Sequence, residues 1–223
     1  MNESNRIKEV YEARKLNKQV QFDGRNYDYT YFLRKEREYW YGKIISKLID
    51  FRSKKLIEIG AGHGDNLFFF ERLGINRNQL FANELIEDRI EVLKNTFPEI
   101  KIFEGDARNI QENQKFDIVF QSTVFSSILN SEIKMELAAK MENLVAENGL
   151  ILWYDFIYDN PNNKNVKGIN KVEIIQLFPN AKSIKFKKVT LAPPIARRVG
   201  KYYDLVNSIF PFLKTHLIAE IYY

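Results

Sequence analysis

Three glycines spaced two apart, in Gly60-Ala61-Gly62-His63-Gly64, follow directly on the apolar run Lys55-Leu56-Ile57-Glu58-Ile59 and lead into a segment of helical spacing from Asn66 to Leu73. Strand, tight loop and helix is the order this implies. Where side chains are missing, backbone N–H groups can approach a ligand closely, and the helix that follows offers its N-terminus. A dinucleotide loop of the form G-x-G-x-x-G has a third glycine at its sixth position, where this chain has Asp65. Pyrophosphate binding is thereby disfavoured. Alone, the run also reads as a turn that only reverses the chain.

Two acids extend the pattern. Glu84 ends a second apolar run, and an acid at that place can accept hydrogen bonds from both hydroxyls of a ribose; its plainer reading is a solvated acid in the first turn of the next helix. Glu104-Gly105-Asp106-Ala107 ends a third run, where a carboxylate could accept from an adenine amino group while a neighbouring N–H donates to the ring. By itself Asp106 is as readily a helix cap or turn former. Taken together, a glycine loop, an acid and an acid at three strand ends point to a nucleoside.

The elements that must hold these residues alternate. Strands are expected over residues 55–59, 79–84, 100–104, 116–121 and 150–154, with helices over 31–50, 66–73, 87–97 and 131–146, the last closed by Asn148-Gly149 as a C-cap. This rhythm means a parallel sheet with helices on both faces and a ligand crevice beyond the carboxyl ends of its strands. The tail reads as helix 171–178, strand 181–191, helix 201–210 and strand 216–223, with the two closing strands an antiparallel pair at one sheet edge. Residues 1–50 are expected to form an N-terminal helical segment covering the site, although residues 1–30 are polar with weak periodicity. Residues 51–223 form the main domain, with 156–170 and 192–214 as acceptor-site insertions.

A chain of 223 residues with 45% hydrophobic content can bury a full core, and its net charge of +5 is spread in small clusters such as Arg197-Arg198. That favours an anionic small molecule over nucleic acid. The absence of cysteine rules out disulfides, thiolate metal sites and a cysteine nucleophile, and fits a reducing compartment. With no leader-like or spanning apolar stretch, the cytoplasm is the expected location.

The chain resembles the class I S-adenosylmethionine-dependent methyltransferases from Tyr31 to Tyr223. Leu56-Ile57-Glu58-Ile59-Gly60-Ala61-Gly62-His63-Gly64 is similar to that family's cofactor loop, with Glu58 as its acidic strand residue. Glu84, with Leu85 beside it, matches the ribose-binding acid, and Asp106-Ala107 the adenine-binding pair. Phe116 to Ser122 resembles the fourth strand, whose end, Gln121-Ser122, faces the methyl group. The resemblance implies a doubly wound, seven-stranded, mostly parallel sheet with an antiparallel last strand. It also implies S-adenosylmethionine as cofactor, with S-adenosylhomocysteine as product. A narrower likeness, over Gln121 to Leu129, Trp153-Tyr154-Asp155-Phe156, Asn160-Pro161 and Lys214-Thr215-His216, is to methyltransferases of bacterial surface-glycan clusters. It implies the hydroxyl of a sugar or phosphorylated sugar-like precursor as acceptor.

Methyl transfer from a sulfonium needs an in-line nucleophile more than covalent catalysis. For a hydroxyl acceptor, Asp155 at the end of the fifth strand is the best-placed general base, with His216 the alternative. Asp155 also reads as a turn cap and His216 as a structural edge-strand residue, while His63 shapes the glycine loop. Tyr31, Asn160, Arg197 and Arg198 are the candidate acceptor-binding residues. The two histidines lack the spacing of a metal-ligand pair, so no metal is expected. The competing readings are an RNA methyltransferase, a membrane-associated enzyme with an apolar stripe from Tyr202 to Phe210, and a non-catalytic module that retains the cofactor pocket.

Overall fold

The computed structural model describes residues 2–16 and 24–223. The apolar runs that end in glycine or an acid become the middle of a sheet: β1 (Leu56–Ile59), β2 (Leu80–Glu84), β3 (Lys101–Glu104), β4 (Phe116–Ser122) and β5 (Val145–Phe156). With β6 (Ser183–Leu191) and β7 (Lys214–Tyr222) they form seven strands in the order β3-β2-β1-β4-β5-β7-β6. β7 is antiparallel to both neighbours, and every other pairing is parallel. Strand order reverses between β1 and β4, which places a crevice beyond their carboxyl ends.

Helices cover both faces: α1 (Glu3–Leu16), α2 (Gly24–Ile45), α3 (Asp65–Leu73), α4 (Glu87–Thr96), α5 (Ser131–Leu144), α6 (Lys171–Leu177), α7 (Pro193–Val199) and α8 (Tyr203–Ile209). α5 and α6 start at Asn130 and Asn170, whose side chains accept from the first free N–H groups of the helix. Period-two alternation along each strand divides the core. Ile57, Val119, Ile151 and Trp153 pack with Leu137, Met141 and Ile174 on one face. Leu56, Phe120, Leu152 and Tyr154 pack with Tyr41, Ile45 and Phe70 on the other.

Three expectations are corrected. The Asn148-Gly149 pair lies inside β5 rather than capping α5, because Val145 already pairs with Phe116 and the register then jumps to Leu150 opposite Ile118. Asn148, at φ 59°, makes the irregular residue of that bulge. The helix expected over 31–50 begins at Gly24 and ends at Ile45. The tail contains a helix not expected from its pattern, α7, begun by Pro193-Pro194 at its first positions. Of the apolar stripe read there, Tyr203 is buried, whereas Tyr202, Ile209 and Phe210 are exposed. No helix among the described residues is long and apolar enough to cross a membrane.

Candidate functional site

A cleft of about 360 Å³ opens where β1, β2, β3 and β4 end. Its floor is the glycine loop. Gly60 and Gly64 both have positive φ and both sit against packed side chains: a Cβ on Gly60 would stand 2.6 Å from Val124 Cγ2, and one on Gly64 2.5 Å from Phe97 Cε2. Gly62, at φ 62°, would meet nothing within 4 Å, so there the requirement is conformational and the backbone lies bare to the cleft.

Glu84 holds this loop. Its Oε2 accepts from the Gly62 N–H at 2.7 Å, while Oε1 accepts from the N–H groups of Leu85 at 2.8 Å and Ile86 at 2.9 Å, at the start of α4. The loop is thus fastened to the second strand end through a carboxylate that itself lines the cleft. Asn83 fastens the third: its side-chain amide donates to the carbonyls of Phe103 and Gly105, both at 2.9 Å. Asp106 caps the short turn Ala107–Asn109 by accepting from the Arg108 N–H, and its carboxylate also takes the Arg108 guanidinium and the Ser4 hydroxyl, the latter at 2.6 Å. Burial, the largest single influence, raises the Asp106 carboxyl, and these donors together outweigh it and hold the group below the usual range.

Of the cofactor residues read from sequence, Gly60, Ala61, Gly62, Glu84, Leu85, Asp106, Ala107 and Ser122 line one cleft. Glu58, Gly64 and Gln121 lie beneath it. Glu58 is fully buried, accepts from the Asn66 amide at 2.6 Å, and has its second carboxyl oxygen unpartnered. Burial drives its carboxyl well above the ordinary carboxylate range, against the lowering effect of the Asn66 hydrogen bond. Gln121 shapes the end of β4 by donating to the Tyr154 carbonyl and accepting from the Val124 N–H. Thr123, which follows Ser122 in the cleft wall, is a β-branched residue at φ 60°. Such a conformation costs of order 1–3 kcal/mol and collects at functional sites.

The candidate bases are not brought to this cleft. Asp155 faces the α5 and α6 side, one residue out of phase with Tyr154, and its carboxylate is taken up by the backbone N–H groups of Ser126 at 3.0 Å and Phe156 at 2.9 Å. Burial raises it to about 7. His216 is on the opposite face, stacked on Tyr154 with ring centroids 5.2 Å apart, and burial lowers it to about 3, which leaves it neutral and a weak base. Asn160 is exposed and shapes a turn by accepting from the Asn162 N–H. Tyr31, Arg197 and Arg198 are exposed too, with Arg197 lying over the Tyr29 ring at 5.2 Å.

Two groups of cleft residues were not named from sequence. The first lies on α1, within the segment 1–50 expected to cover the site, and brings Glu3, Ser4, Ile7 and Tyr11 over the opening. Glu3 accepts from the Leu129 N–H at 2.6 Å, and Arg6 donates to the Ser127 carbonyl at 2.6 Å. The second is Arg37 on α2. The signal for it was present, since Arg37 stands four residues before Tyr41 on the buried stripe of that helix.

No protein-family model matches the chain. Ribosomal protein L11 methyltransferase of Fusobacterium nucleatum is 26% identical over 120 residues, 51% of this chain; the match spans only 36% of that relative's length. Among solved structures, CalS10, an amino pentose methyltransferase from Micromonospora echinaspora, superposes with a TM-score of 0.59 at 12% identity, over 92% of this chain and 98% of that one. The N-methyltransferase NodS from Bradyrhizobium japonicum gives 0.59 at 12% identity over 83% and 95%. An S-adenosylmethionine-dependent methyltransferase from Archaeoglobus fulgidus gives 0.55 at 16% identity over 87% and 99%. The fold of this chain is therefore the Rossmann-like fold of the class I methyltransferases.

Proposed function

We propose that the protein is an S-adenosylmethionine-dependent methyltransferase whose acceptor is a small, polar, sugar-like molecule. The observation that carries this reading is the convergence of three strand ends on one cleft: bare glycine backbone from β1, the Glu84 carboxylate from β2 and the Asp106 carboxylate from β3. The residues fit an adenosyl group. The volume of about 360 Å³ lies in the range of small-molecule sites, roughly 300–1,000 Å³. Glu84 Oε2 has one protein donor and keeps a lone pair for a ribose hydroxyl. Ser4 holds the place on Asp106 that an adenine amino group would take, and Ile128, Ile133 and Leu137 supply an apolar wall.

When bound, S-adenosylmethionine supplies a methyl group already activated by its sulfonium. The chain's own part is to fix the donor against the loop, aim the acceptor in line and keep water out. α1 supports the last role, tied across the opening through Glu3, Ser4 and Arg6. Asp155 has a suitable pKa for a general base but lacks access, and His216 lies outside the cleft lining and is too weakly basic. Positioning therefore supplies most of the rate. The likeness to an amino pentose methyltransferase supports a sugar-like acceptor.

The test is methyl transfer from isotope-labelled S-adenosylmethionine to neutral sugars, amino sugars, phosphorylated sugars, nucleotide sugars, RNA and ribosomal protein L11, with the product read by mass. One added methyl on a sugar-like compound is the expected outcome. Label found only in RNA or in the ribosomal protein would contradict the acceptor assignment.

A further inference from the structure

Helix α8 is apolar over more of its circumference than it buries. Toward the protein, Tyr203 is fully buried and packs with Leu191 and Ala196, with Phe32, Val199 and Val206 against them. Tyr202, Leu205 and Ile209 recur at helical spacing on another stripe, and each keeps 57–59% of its surface exposed. The stripe runs on into the turn Pro211–Leu213, where Phe212 is 70% exposed and stands edge-to-face with Phe210 at 5.9 Å. Asp204 and Ser208 make the polar side of the helix, the first paired with Lys35 at 2.6 Å and the second donating to the Asp204 carbonyl. Single exposed apolar side chains are ordinary, but five of them between Tyr202 and Phe212 make a patch of the kind that marks an interaction surface.

What borders the patch indicates its partner. Lys201 Nζ lies over the Tyr202 ring at 5.3 Å, and the exposed Arg197 and Arg198 stand near the end of α7, just before it in the chain. Among the described residues none of these three cations forms an ion pair. The acids around them are few or engaged: Asp204 is held by Lys35, Glu36 is buried on three donors, and Asp28 stands beside Gly200. Apolar and aromatic side chains bordered by cations match the surface of an anionic bilayer, where acyl chains take the apolar groups, headgroup phosphates the cations, and tyrosine lies between. A second copy of the chain fits less well, since an isologous contact would set the cations against themselves. β5 and β6 both run antiparallel to β7 and so point the same way, which puts the connection 192–213 at the strand ends where the cleft opens. We propose that α8 and the turn after it are a docking surface for an anionic lipid bilayer, which holds the cleft's end of the molecule at the membrane. This docking does not depend on which reaction the cleft performs.

The test is co-sedimentation of the full chain with vesicles of phosphatidylcholine alone and of phosphatidylcholine mixed with phosphatidylglycerol, for wild type, Ile209→Ser/Phe212→Ser and Arg198→Gln/Lys201→Gln. Wild type should partition about tenfold or more strongly into the anionic vesicles, and that preference should fall as salt rises. Each double variant should lose about tenfold or more of the partition coefficient, the first through apolar area and the second through charge. The replaced side chains are exposed, so the melting temperature and far-ultraviolet circular dichroism should stay those of wild type, which separates lost binding from lost folding. In Phe212→Trp, anionic vesicles should bring a blue shift of emission that wild type lacks, with quenching by brominated acyl chains. A wild type left in the supernatant by anionic vesicles would overturn the proposal, as would wild-type partition in Ile209→Ser/Phe212→Ser or an unshifted emission in Phe212→Trp. A wild type that is dimeric in the ultracentrifuge, becomes monomeric in Ile209→Ser/Phe212→Ser and binds no vesicles would overturn it in favour of a second copy.

Discussion

Tyr154 and Asp155 are neighbours on β5 and belong to opposite sides of the molecule. Counting by two from Leu150 and Leu152 puts Tyr154 on the face shared with α2 and leaves Asp155 with Trp153 on the α5 face. That parity was legible in the sequence, and applying it would have withdrawn Asp155 as a base. Its raised pKa has instead a consequence for stability. Between about pH 4 and 7 the folded protein keeps Asp155 protonated while the unfolded chain ionises it, so its contribution to stability falls as pH rises through that window. Urea unfolding at pH 5 and pH 8 should show Asp155→Asn gaining on the wild type at the higher pH; an equal gap at both values would contradict the assignment. Glu84 was read from its strand-end position, but its three backbone donors were not, because they depend on how the glycine loop closes. Glu84→Ala should therefore lose about 1.5–3 kcal/mol or more of folding stability and bind S-adenosylhomocysteine at least about tenfold more weakly. Unchanged affinity in calorimetry would leave Glu84 a purely structural carboxylate.

Elements were legible where packing supplied a period. α3 shows one because it buries an apolar face, while the strands before and after it are legible as short runs buried on both sides. α1 shows almost none, since what ties it down is a set of polar contacts to residues more than a hundred positions away, from Glu3 to Leu129, Ser4 to Asp106 and Arg6 to Ser127. No local pattern encodes those partners. If α1 is the cover that slows exchange of the bound cofactor, removing residues 1–16 should raise the S-adenosylhomocysteine dissociation rate by tenfold or more in stopped flow, while far-ultraviolet circular dichroism keeps the sheet signal. An unchanged rate would make α1 a passive addition. α2 depends on a single buried acid. Glu36 accepts from Thr190, Tyr203 and Asn207 and so joins α2 to β6 and α8. Glu36→Ala is expected to cost about 2–3 kcal/mol by strands those donors, measured as a lower urea midpoint at unchanged slope; a midpoint equal to wild type would show the joint to be dispensable.

At the scale of the whole molecule, the alternation of apolar runs and helical segments dictated the parallel sheet, and the helices on both faces followed from the need to bury each side of it. The placement of β7 between β5 and β6 comes from long-range pairing, with Leu150 to Phe156 on one side and Ser183 to Leu191 on the other. The same arrangement brings Arg37, Tyr154 and His216 together from α2, β5 and β7, three segments whose proximity no spacing in the chain announces. The motif residues were readable because they sit at successive strand ends, whereas the cleft-lining residues of α1 and α2 come from helices laid over those ends and carry no such pattern. The central claim is that these strand ends form a site for the adenosyl cofactor. Calorimetric titration of the purified chain with S-adenosylhomocysteine, and separately with NAD, tests it most directly. Micromolar binding of S-adenosylhomocysteine, about −8 kcal/mol, with no response to NAD is the expected result; tight NAD binding with no response to S-adenosylhomocysteine would contradict it.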